Sequence, residues 1–293
     1  MSERKPPPPP GLTPTRDVAV IRIGPDGATR TRDVAAAEEP LDVRLHGRSF
    51  AVIMRTPGED RPLAAGFLLS ERIIRSAADI GAIEHCRHPD QSRAHHVVDC
   101  FLVGDAAARV PAILEQRRQV IANSSCGICG RATIDELASD VTPLTATSTM
   151  SLAAIRELPG RLRSVQTRFD ETGGLHGAAL FAADGSLLGS AEDVGRHNAV
   201  DKAIGALLLR DPVVPVALEH DATSPSFALT VSGRVSFEIV QKAWLAGVQI
   251  VVAISAPTSL AIELAQTAGI TLLGFVRESG LNVYTHPGRI DGV

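Results

Sequence analysis

The second half of the chain alternates short apolar runs with longer helical patterns, and this alternation limits the fold more than any other feature. The runs from Phe227 to Val231 and from Ile250 to Ile254 each predict a buried strand. A helical pattern follows each run, from Val235 to Ala246 and from Ser259 to Ala268. Strands that are apolar throughout are typical of a sheet covered on both faces, with right-handed helical crossovers between parallel neighbours. We therefore expect an α/β sheet in this half.

Flanking segments extend the predicted sheet and make it mixed. Asp184-Gly185 is typical of a tight hairpin turn, which joins antiparallel strands. The remaining predicted elements are strands at Gly177 to Ala183, Ser186 to Ser190, Ile270 to Val276 and Asn282 to Thr285, and a helix from Gly195 to Leu209.

The first half has the pattern of a separate, smaller α+β domain. Its predicted elements are strands at Val18 to Ile23, Leu41 to Leu45, Phe50 to Met54, Ile80 to Cys86 and His96 to Val103, and a helix from Leu63 to Ile74. We expect four segments: a disordered Pro-rich tail over residues 1–15, a small roll-like α+β domain over 16–110, a cysteine-containing linker over 111–150, and the larger α/β domain over 151–293.

Composition narrows the class of protein. A net charge of −4 and a pI of about 6.1 argue against nucleic acid or an anionic membrane surface as the main partner. No apolar run approaches the roughly 18 residues of a membrane span, and the polar N-terminus lacks the apolar core of a signal peptide. Four cysteines are too few for a disulfide scaffold in a chain of 293 residues. We expect a cytoplasmic protein with reduced thiols.

Two of the cysteines form a Cys-x-x-Cys motif in the segment from Asn123 to Gly130. Glycines beside Cys126 and Cys129 allow backbone N–H groups to turn toward a thiolate, the reactive and metal-binding form of cysteine. The same spacing serves zinc binding, disulfide exchange and sulfur carriage, so the motif alone leaves these three chemistries open. Cys86 and Cys100 fall in strand patterns and are expected to be unreactive.

Three polar turns lie where strands of the α/β half lead into helices. They span Glu192 to Asn198, Ser232 to Ser236 and Ser255 to Ser259. Ligands of such sheets bind beyond the carboxyl ends of strands, where free N–H groups of helix N-termini attract anions. The side chains expected to take part are those of His176, Arg196, His197, Ser232, Arg234 and Ser255.

The helix after the first turn adds to this prediction. His197 and Asp201 lie four residues apart, as do Asn198 and Lys202, so each pair shares a helix face. Surface ion pairs would explain any one of these residues, but the whole cluster predicts a ligand site. Arg196 and Arg234 are the side chains expected to pair with phosphate oxygens.

Six motifs occur in an order that resembles one known family. They are Ser-Ser-Cys-Gly-Ile-Cys-Gly at 124–130, Gly-Gly-Leu-His-Gly-Ala at 173–178, Glu-Asp-Val-Gly-Arg-His-Asn-Ala-Val-Asp-Lys at 192–202, Ser-Gly-Arg-Val-Ser-Phe-Glu at 232–238, Ser-Ala-Pro-Thr-Ser-Leu-Ala at 255–261 and Tyr-Thr-His-Pro-Gly-Arg-Ile at 284–290. Over about residues 16–290 the chain resembles the formate dehydrogenase accessory sulfurtransferase family (FdhD).

This resemblance implies a cytoplasmic, homodimeric sulfur carrier whose larger domain is similar to the cytidine deaminase fold. A cysteine desulfurase would load sulfur as a persulfide on Cys126, with Cys129 as the second cysteine of the family's pair. The acceptor would be the bis(molybdopterin guanine dinucleotide) molybdenum cofactor of formate dehydrogenase, bound as a substrate, with no permanent metal in the carrier. The family's cofactor-binding stretch maps onto Phe275, Val276, Arg277, Glu278, Ser279 and Gly280.

Other readings of the same residues fit less well. A zinc nucleobase deaminase needs a His-x-Glu and a Pro-Cys-x-x-Cys arrangement, whereas Ala178 stands two residues after His176 and no proline precedes Cys126. A structural zinc site would need two further ligands, such as His95 and His96. A thioredoxin-like oxidoreductase normally carries its motif at the start of a helix near the beginning of the domain, not in a linker.

Overall fold

A computed structural model describes residues 13–86, 95–120, 142–145, 149–210 and 227–293, without the side chains of 116–120. Cys126 and Cys129 lie outside these ranges, as does most of the predicted tail. The predicted limits of the domains stay predictions. The mixed α/β and α+β architecture expected from the sequence is confirmed.

The first half contains a hairpin and a four-stranded sheet. Its elements are strands β1 (Thr15–Gly24), β2 (Gly27–Ala36), β3 (Glu39–Leu45), β4 (Arg48–Arg55), β5 (Ile80–His85) and β6 (Val97–Leu102), and helices α1 (Asp60–Ser70) and α2 (Gly104–Val120). Among the described residues, strands β1 and β2 form a two-stranded sheet of their own, and the larger sheet has the order β4-β3-β6-β5. Strand β2 and helix α2 were not expected: β2 is mostly exposed and α2 carries a proline, so neither shows a clear hydrophobic period.

The second half forms a mixed six-stranded sheet with the order β13-β12-β11-β10-β8-β9. The elements of this half of the chain are β7 (Met150–Ser151), α3 (Leu152–Ser164), α4 (Thr167–Thr172), β8 (His176–Ala182), β9 (Leu187–Asp193), α5 (Arg196–Leu208), β10 (Phe227–Val231), α6 (Phe237–Leu245), β11 (Ile250–Ala253), α7 (Ser259–Ala268), β12 (Thr271–Arg277), β13 (Gly280–Val283) and β14 (Ile290–Asp291). Strands β10, β11 and β12 are parallel, whereas β8, β9 and β13 run antiparallel to their neighbours. The strands predicted from apolar runs thus lie within a few residues of their observed positions.

Helices α1 and α5 bring the two halves together at backbone distance. A Cβ atom on Gly66 would lie 1.9 Å from the carbonyl oxygen of Asp201, and one on Gly205 would lie 1.8 Å from that of Pro62. Only glycine permits such an approach. One cluster of buried apolar side chains therefore runs from Leu41 on β3 through this crossing to the six-stranded sheet.

Candidate functional site

The three predicted ligand turns lie along one edge of the six-stranded sheet. His176 at the start of β8 pairs with Asp193 at the end of β9, and Ala178 pairs with Val231 at the end of β10. Strand β11 is parallel to β10 and ends at the same edge. A pair of backbone hydrogen bonds, from Val235 to Ala256 and from Thr258 back to Val235, joins the second turn to the third. The first turns of α5, α6 and α7 therefore converge, as expected.

His176 and Arg196 converge on the second turn at Gly233. A Cβ atom on Gly233 would lie 3.3 Å from His176 Nδ1 and 3.8 Å from Arg196 Cδ. Burial lowers the pKa of His176, and the nearby positive charge of Arg196 lowers it further, while Asp193 opposes the shift. The Nε atom of Arg196 is buried and has no hydrogen-bond partner in the described part of the chain. This guanidinium thus retains donor capacity for a ligand.

His197 contacts the beginning of the neighbouring helix. Its Nε2 atom lies 2.8 Å from Glu238 Oε2 and 3.1 Å from Ser236 Oγ. The hydrogen bond from His197 is the main reason why the pKa of Glu238 is lowered. Glu238 was not among the residues expected at the site. A signal was present, because Glu238 and Lys242 have the same spacing on α6 as His197 and Asp201 on α5.

The second turn carries two of the expected side chains, Ser232 and Arg234, which differ in whether protein groups already bind them. Ser232 binds β8: its Oγ accepts a hydrogen bond of 2.9 Å from Gly177 N, and its own N–H donates to Gly177 O at 3.0 Å. The Ser232 hydroxyl oxygen is thus occupied by the sheet, which leaves its hydrogen as the group available to a ligand. Arg234 is exposed, and no residue in the described ranges pairs with its guanidinium.

The stretch from Phe275 to Gly280 begins beside the third turn. Phe275 N donates to Ser255 O at 3.2 Å, so the sheet brings these two predicted positions together. Phe275 has a φ of 54° and a side chain that is 48% exposed. A bulky residue is rarely held in this left-handed region, and such strain clusters at functional sites.

Other members of this stretch differ from the expectation that all six bind a ligand. Val276 is fully buried in the core, so its side chain cannot contact a ligand at the surface. Arg277 donates to the carbonyl oxygens of Ile254 and Val276 at 2.6 and 2.8 Å, so its guanidinium is partly engaged by backbone. Glu278 and Ser279 are exposed, and Gly280 opens β13.

The three helix N-termini are not equally open to an anion. Thr258 caps α7, because its Oγ1 accepts a hydrogen bond from Ala261 N at 3.3 Å. Neither Gly195, the N-cap of α5, nor Ser236, the N-cap of α6, makes a side-chain capping bond. The carboxylate of Asp193 accepts a hydrogen bond of 2.8 Å from the N–H of Gly195. The start of α6 is therefore the most available of the three.

Part of the cluster on α5 that predicted a ligand site is instead bound to other protein groups. Lys202 and Asp193 are both fully buried and form an ion pair of 2.7 Å. Lys202 Nζ also donates to Thr56 O at 2.8 Å. Asn198 donates to Met54 O at 2.7 Å and to Asp193 Oδ1 at 2.9 Å. These residues face the first half of the chain because the α1–α5 crossing turns that side of the helix inward.

The described cysteines behave as the strand pattern predicted. Cys100 is completely buried, and burial raises the pKa of its thiol to about 12. Burial and then the nearby Asp99 carboxylate raise the pKa of Cys86. Neither thiol ionises readily near neutral pH, and the role predicted for Cys126 and Cys129, which lie outside the described residues, stays a prediction.

The described residues contain no group of three or more His, Cys, Asp or Glu side chains placed to hold a metal ion. His96 Nδ1 instead lies 3.1 Å from Pro40 O. Across those same ranges, every helix is too short or too polar to cross a membrane.

The geometry defines a class of protein: a mixed α/β fold with arginine and histidine side chains gathered around a glycine-containing turn at one sheet edge, in a chain whose sequence also carries a Cys-x-x-Cys motif. The FdhD/NarQ family matches residues 36–291, and the chain belongs to this family. Curated proteins called "Sulfur carrier protein FdhD" are similar to it. The one from Anaeromyxobacter dehalogenans is 45% identical, with 92% of each chain covered. The one from Saccharolobus solfataricus is 41% identical, over 92% of this chain and 96% of that protein.

A solved structure shares the fold. The crystal structure of a candidate formate dehydrogenase accessory protein from Desulfotalea psychrophila superposes with a TM-score of 0.71. The match covers 95% of this chain and all of that one, at 24% sequence identity. At this level of identity the likeness establishes the architecture, and the functional argument rests on the relatives with higher identity.

Proposed function

We propose that this protein is a cytoplasmic sulfur carrier that takes persulfide sulfur from a cysteine desulfurase and passes it to the molybdenum cofactor of a formate dehydrogenase. The observation that carries the proposal is the identity of 41–45% over most of the chain to proteins named as sulfur carriers. The intact Cys-x-x-Cys motif supports it, because a carrier needs a nucleophilic thiolate.

Loading of sulfur requires only one displacement. The Cys126 thiolate attacks the outer sulfur of the desulfurase persulfide, the sulfur–sulfur bond breaks, and the desulfurase cysteine leaves as a thiolate. The product is a persulfide on Cys126, with no net oxidation or reduction. Cys86 and Cys100 are poor competitors, because the pKa of each thiol is raised.

Two roles for Cys129 fit this chemistry. It can attack the sulfur of Cys126 and release the outer sulfur as hydrosulfide, which leaves a Cys126–Cys129 disulfide. Alternatively, it can stabilise the Cys126 thiolate without forming a bond. A Cys129→Ser variant separates the roles, because only the first requires a disulfide after release.

The sheet edge is the proposed binding site for the acceptor, which is the bis(molybdopterin guanine dinucleotide) form of the cofactor bound as a substrate. Its diphosphates suit the free donors of Arg196, the exposed Arg234 and the open N-terminus of α6. The exposed ring of Phe275 suits a flat heterocycle, because aromatic rings stack on one another. We further propose that the protein acts as a homodimer.

Sulfur loading is tested by intact mass. The purified protein is incubated with a cysteine desulfurase and free cysteine, washed without reductant, and weighed by mass spectrometry. We expect the wild type and Cys86→Ala to gain sulfur, and Cys126→Ala to gain none. A wild type without added sulfur contradicts the carrier function.

The acceptor site is tested separately with GDP as a probe of guanine nucleotide binding. We expect Arg196→Ala and Arg234→Ala to weaken GDP binding about ten-fold each, as is typical for loss of a charge-assisted hydrogen bond. Loading of sulfur on Cys126 should be unaffected in both variants. Unchanged GDP affinity in both would remove the sheet edge as the acceptor site and leave the carrier function standing.

A further inference from the structure

Two pairs of polar side chains join helices α5 and α6 beside the candidate site. His197 and Asp201 share a face of α5, and Glu238 and Lys242 share a face of α6. Lys242 Nζ lies 2.8 and 2.7 Å from the two carboxylate oxygens of Asp201. One helical turn nearer to the sheet edge, His197 Nε2 lies 2.8 Å from Glu238 Oε2. The acidic partner is thus on α5 in the first pair and on α6 in the second.

The two pairs differ in exposure. The side chains of Lys242 and Asp201 are 11% and 3% exposed, and Ser70 of α1 also donates to Asp201 at 2.7 Å. The side chains of His197 and Glu238 are 31% and 32% exposed. The inner pair therefore fixes how the two helices lie against each other. The outer pair remains accessible at the site.

Glu238 is an unexpected residue in an anion site. Its carboxylate stays ionised because the hydrogen bond from His197 lowers its pKa, with smaller contributions from Lys242 and Arg196. A negative charge near a bound phosphate repels it. If charge alone mattered, loss of the carboxylate would strengthen anion binding.

We infer that Glu238 is a positioning residue for the phosphate-bearing ligand of the sheet edge, an inference that rests on the proposed function. Glu238 and Ser236 engage Nε2 of His197 and so fix the imidazole between the first turns of α5 and α6. Nδ1 of this ring makes no contact with another residue of the described ranges and is the atom left for the ligand. Arg196 is the neighbour of His197 in the first turn of the same helix.

The decisive measurement is the affinity of the full chain for GDP by calorimetry, compared between wild type and Glu238→Gln. The amide keeps the shape of the side chain and removes the charge. We expect GDP to bind about five- to ten-fold more weakly, the effect of losing one charge-assisted hydrogen bond that orders the site. Equal or tighter binding by Glu238→Gln would overturn the inference.

A double-mutant cycle tests whether Glu238 acts through His197. We expect His197→Asn to weaken GDP binding, and Glu238→Gln to have no further effect in the His197→Asn background. A purely electrostatic or a general structural role predicts the same effect in both backgrounds, and that result would also overturn the inference.

Two controls exclude a general effect of removing a carboxylate and a general change in histidine signals. Glu157→Gln removes a carboxylate from an exposed pair with Arg161 on α3 and should leave GDP affinity unchanged. The ¹⁵N NMR signal of His197 Nε2 should move in Glu238→Gln, whereas that of His286 Nε2, which binds Gln266 O at 2.8 Å, should not. A His197 signal that does not move would contradict the inference.

The inference and the proposed function can fail separately. Sulfur loading on Cys126 requires none of these residues, so Glu238→Gln should gain sulfur like the wild type. If the wild type loads sulfur but does not bind GDP, the inference is wrong and the carrier function stands. If it binds GDP as expected but never gains sulfur, the carrier function is wrong, and the inference about Glu238 is decided by the Glu238→Gln measurement.

Discussion

The two sides of helix α5 carry similar polar residues and do different work. Towards the sheet edge, Arg196 and His197 are partly exposed and keep donor groups for a ligand. Towards the first half of the chain, Asn198 donates to Met54 O and the buried Lys202 donates to Thr56 O. Residues of one short motif thus serve binding on one side and packing on the other.

This difference shows how the site is made rigid. The buried side holds α5 against α1 through close backbone contact, against β4 through the hydrogen bond from Asn198 to Met54 O, and against β9 through the buried ion pair of Lys202 and Asp193. The exposed side can then present Arg196 and His197 in a fixed geometry, although not every donor of these side chains is hydrogen-bonded to the protein. A binding site is more effective when its supporting contacts are made in advance.

The largest expected effect is on the buried side. Lys202→Met leaves the fully buried carboxylate of Asp193 without its cation. We expect a loss of about 3 to 5 kcal/mol in the free energy of unfolding, typical of breaking a buried ion pair. Urea denaturation measures it.

An exposed ion pair provides the matched control. Asp170→Asn breaks the pair between Arg163 and Asp170, whose side chains are 47% and 58% exposed. It should cost no more than about 1 kcal/mol. If Lys202→Met cost as little as Asp170→Asn, the buried side of α5 would not be the support that we describe.

The next effect concerns the α1–α5 crossing. Gly66→Ala places a Cβ atom 1.9 Å from the backbone oxygen of Asp201, so the helices must separate. We expect a loss of about 1 to 3 kcal/mol, although alanine favours helices over glycine. Gly160→Ala on α3, where nothing lies within 4 Å, should instead stabilise by about 0.5 to 1 kcal/mol. Melting temperatures that rise in both variants would rule out a close crossing.

The sequence predicts the fold of the second half well because its strands are apolar throughout. Phe227–Val231 and Ser259–Ala268 have the predicted limits. The first half is harder: the strand at Val18 to Ile23 lies within β1, but its partner β2 was missed, because most of its residues are exposed and lack the alternation of a half-buried strand. A periodic pattern reports burial on one face, so a mostly exposed strand such as β2 gives no such signal.

The sequence predicted where in the fold these residues lie but not what they contact. The structure brings Arg196 and His197 close to the turn that carries Arg234, at the strand ends where the sequence placed them, and a ligand role for them stays a prediction. The sequence could not show that Lys202 is buried, since this depends on a contact with α1 more than 130 residues away along the chain. Val276 was among the predicted site residues because the family's whole cofactor-binding stretch was mapped onto the chain. Alternate residues of a strand, however, point to opposite faces.

The smallest expected effect is a pH-dependent loss of stability at the sheet edge, where His176 lies. The pKa of His176 is lowered in the folded protein, so the unfolded chain takes up a proton first as the pH falls. Stability from this residue is therefore present above about pH 6.5 and is lost as the pH falls through the folded pKa. The loss should be small, because the ring is only half-buried and solvent screens its charge.

Arg196→Ala sharpens this prediction, because it removes the positive charge that adds to the effect of burial. In an NMR titration, the pKa of His176 should move part of the way back to its ordinary value, since burial is the larger cause and remains. Lys242→Met, which breaks the pair with Asp201 one turn further from the edge, should leave that titration unchanged. If Arg196→Ala also left it unchanged, the two side chains would not share one site, and α5 would support the sheet edge without contributing charge to it.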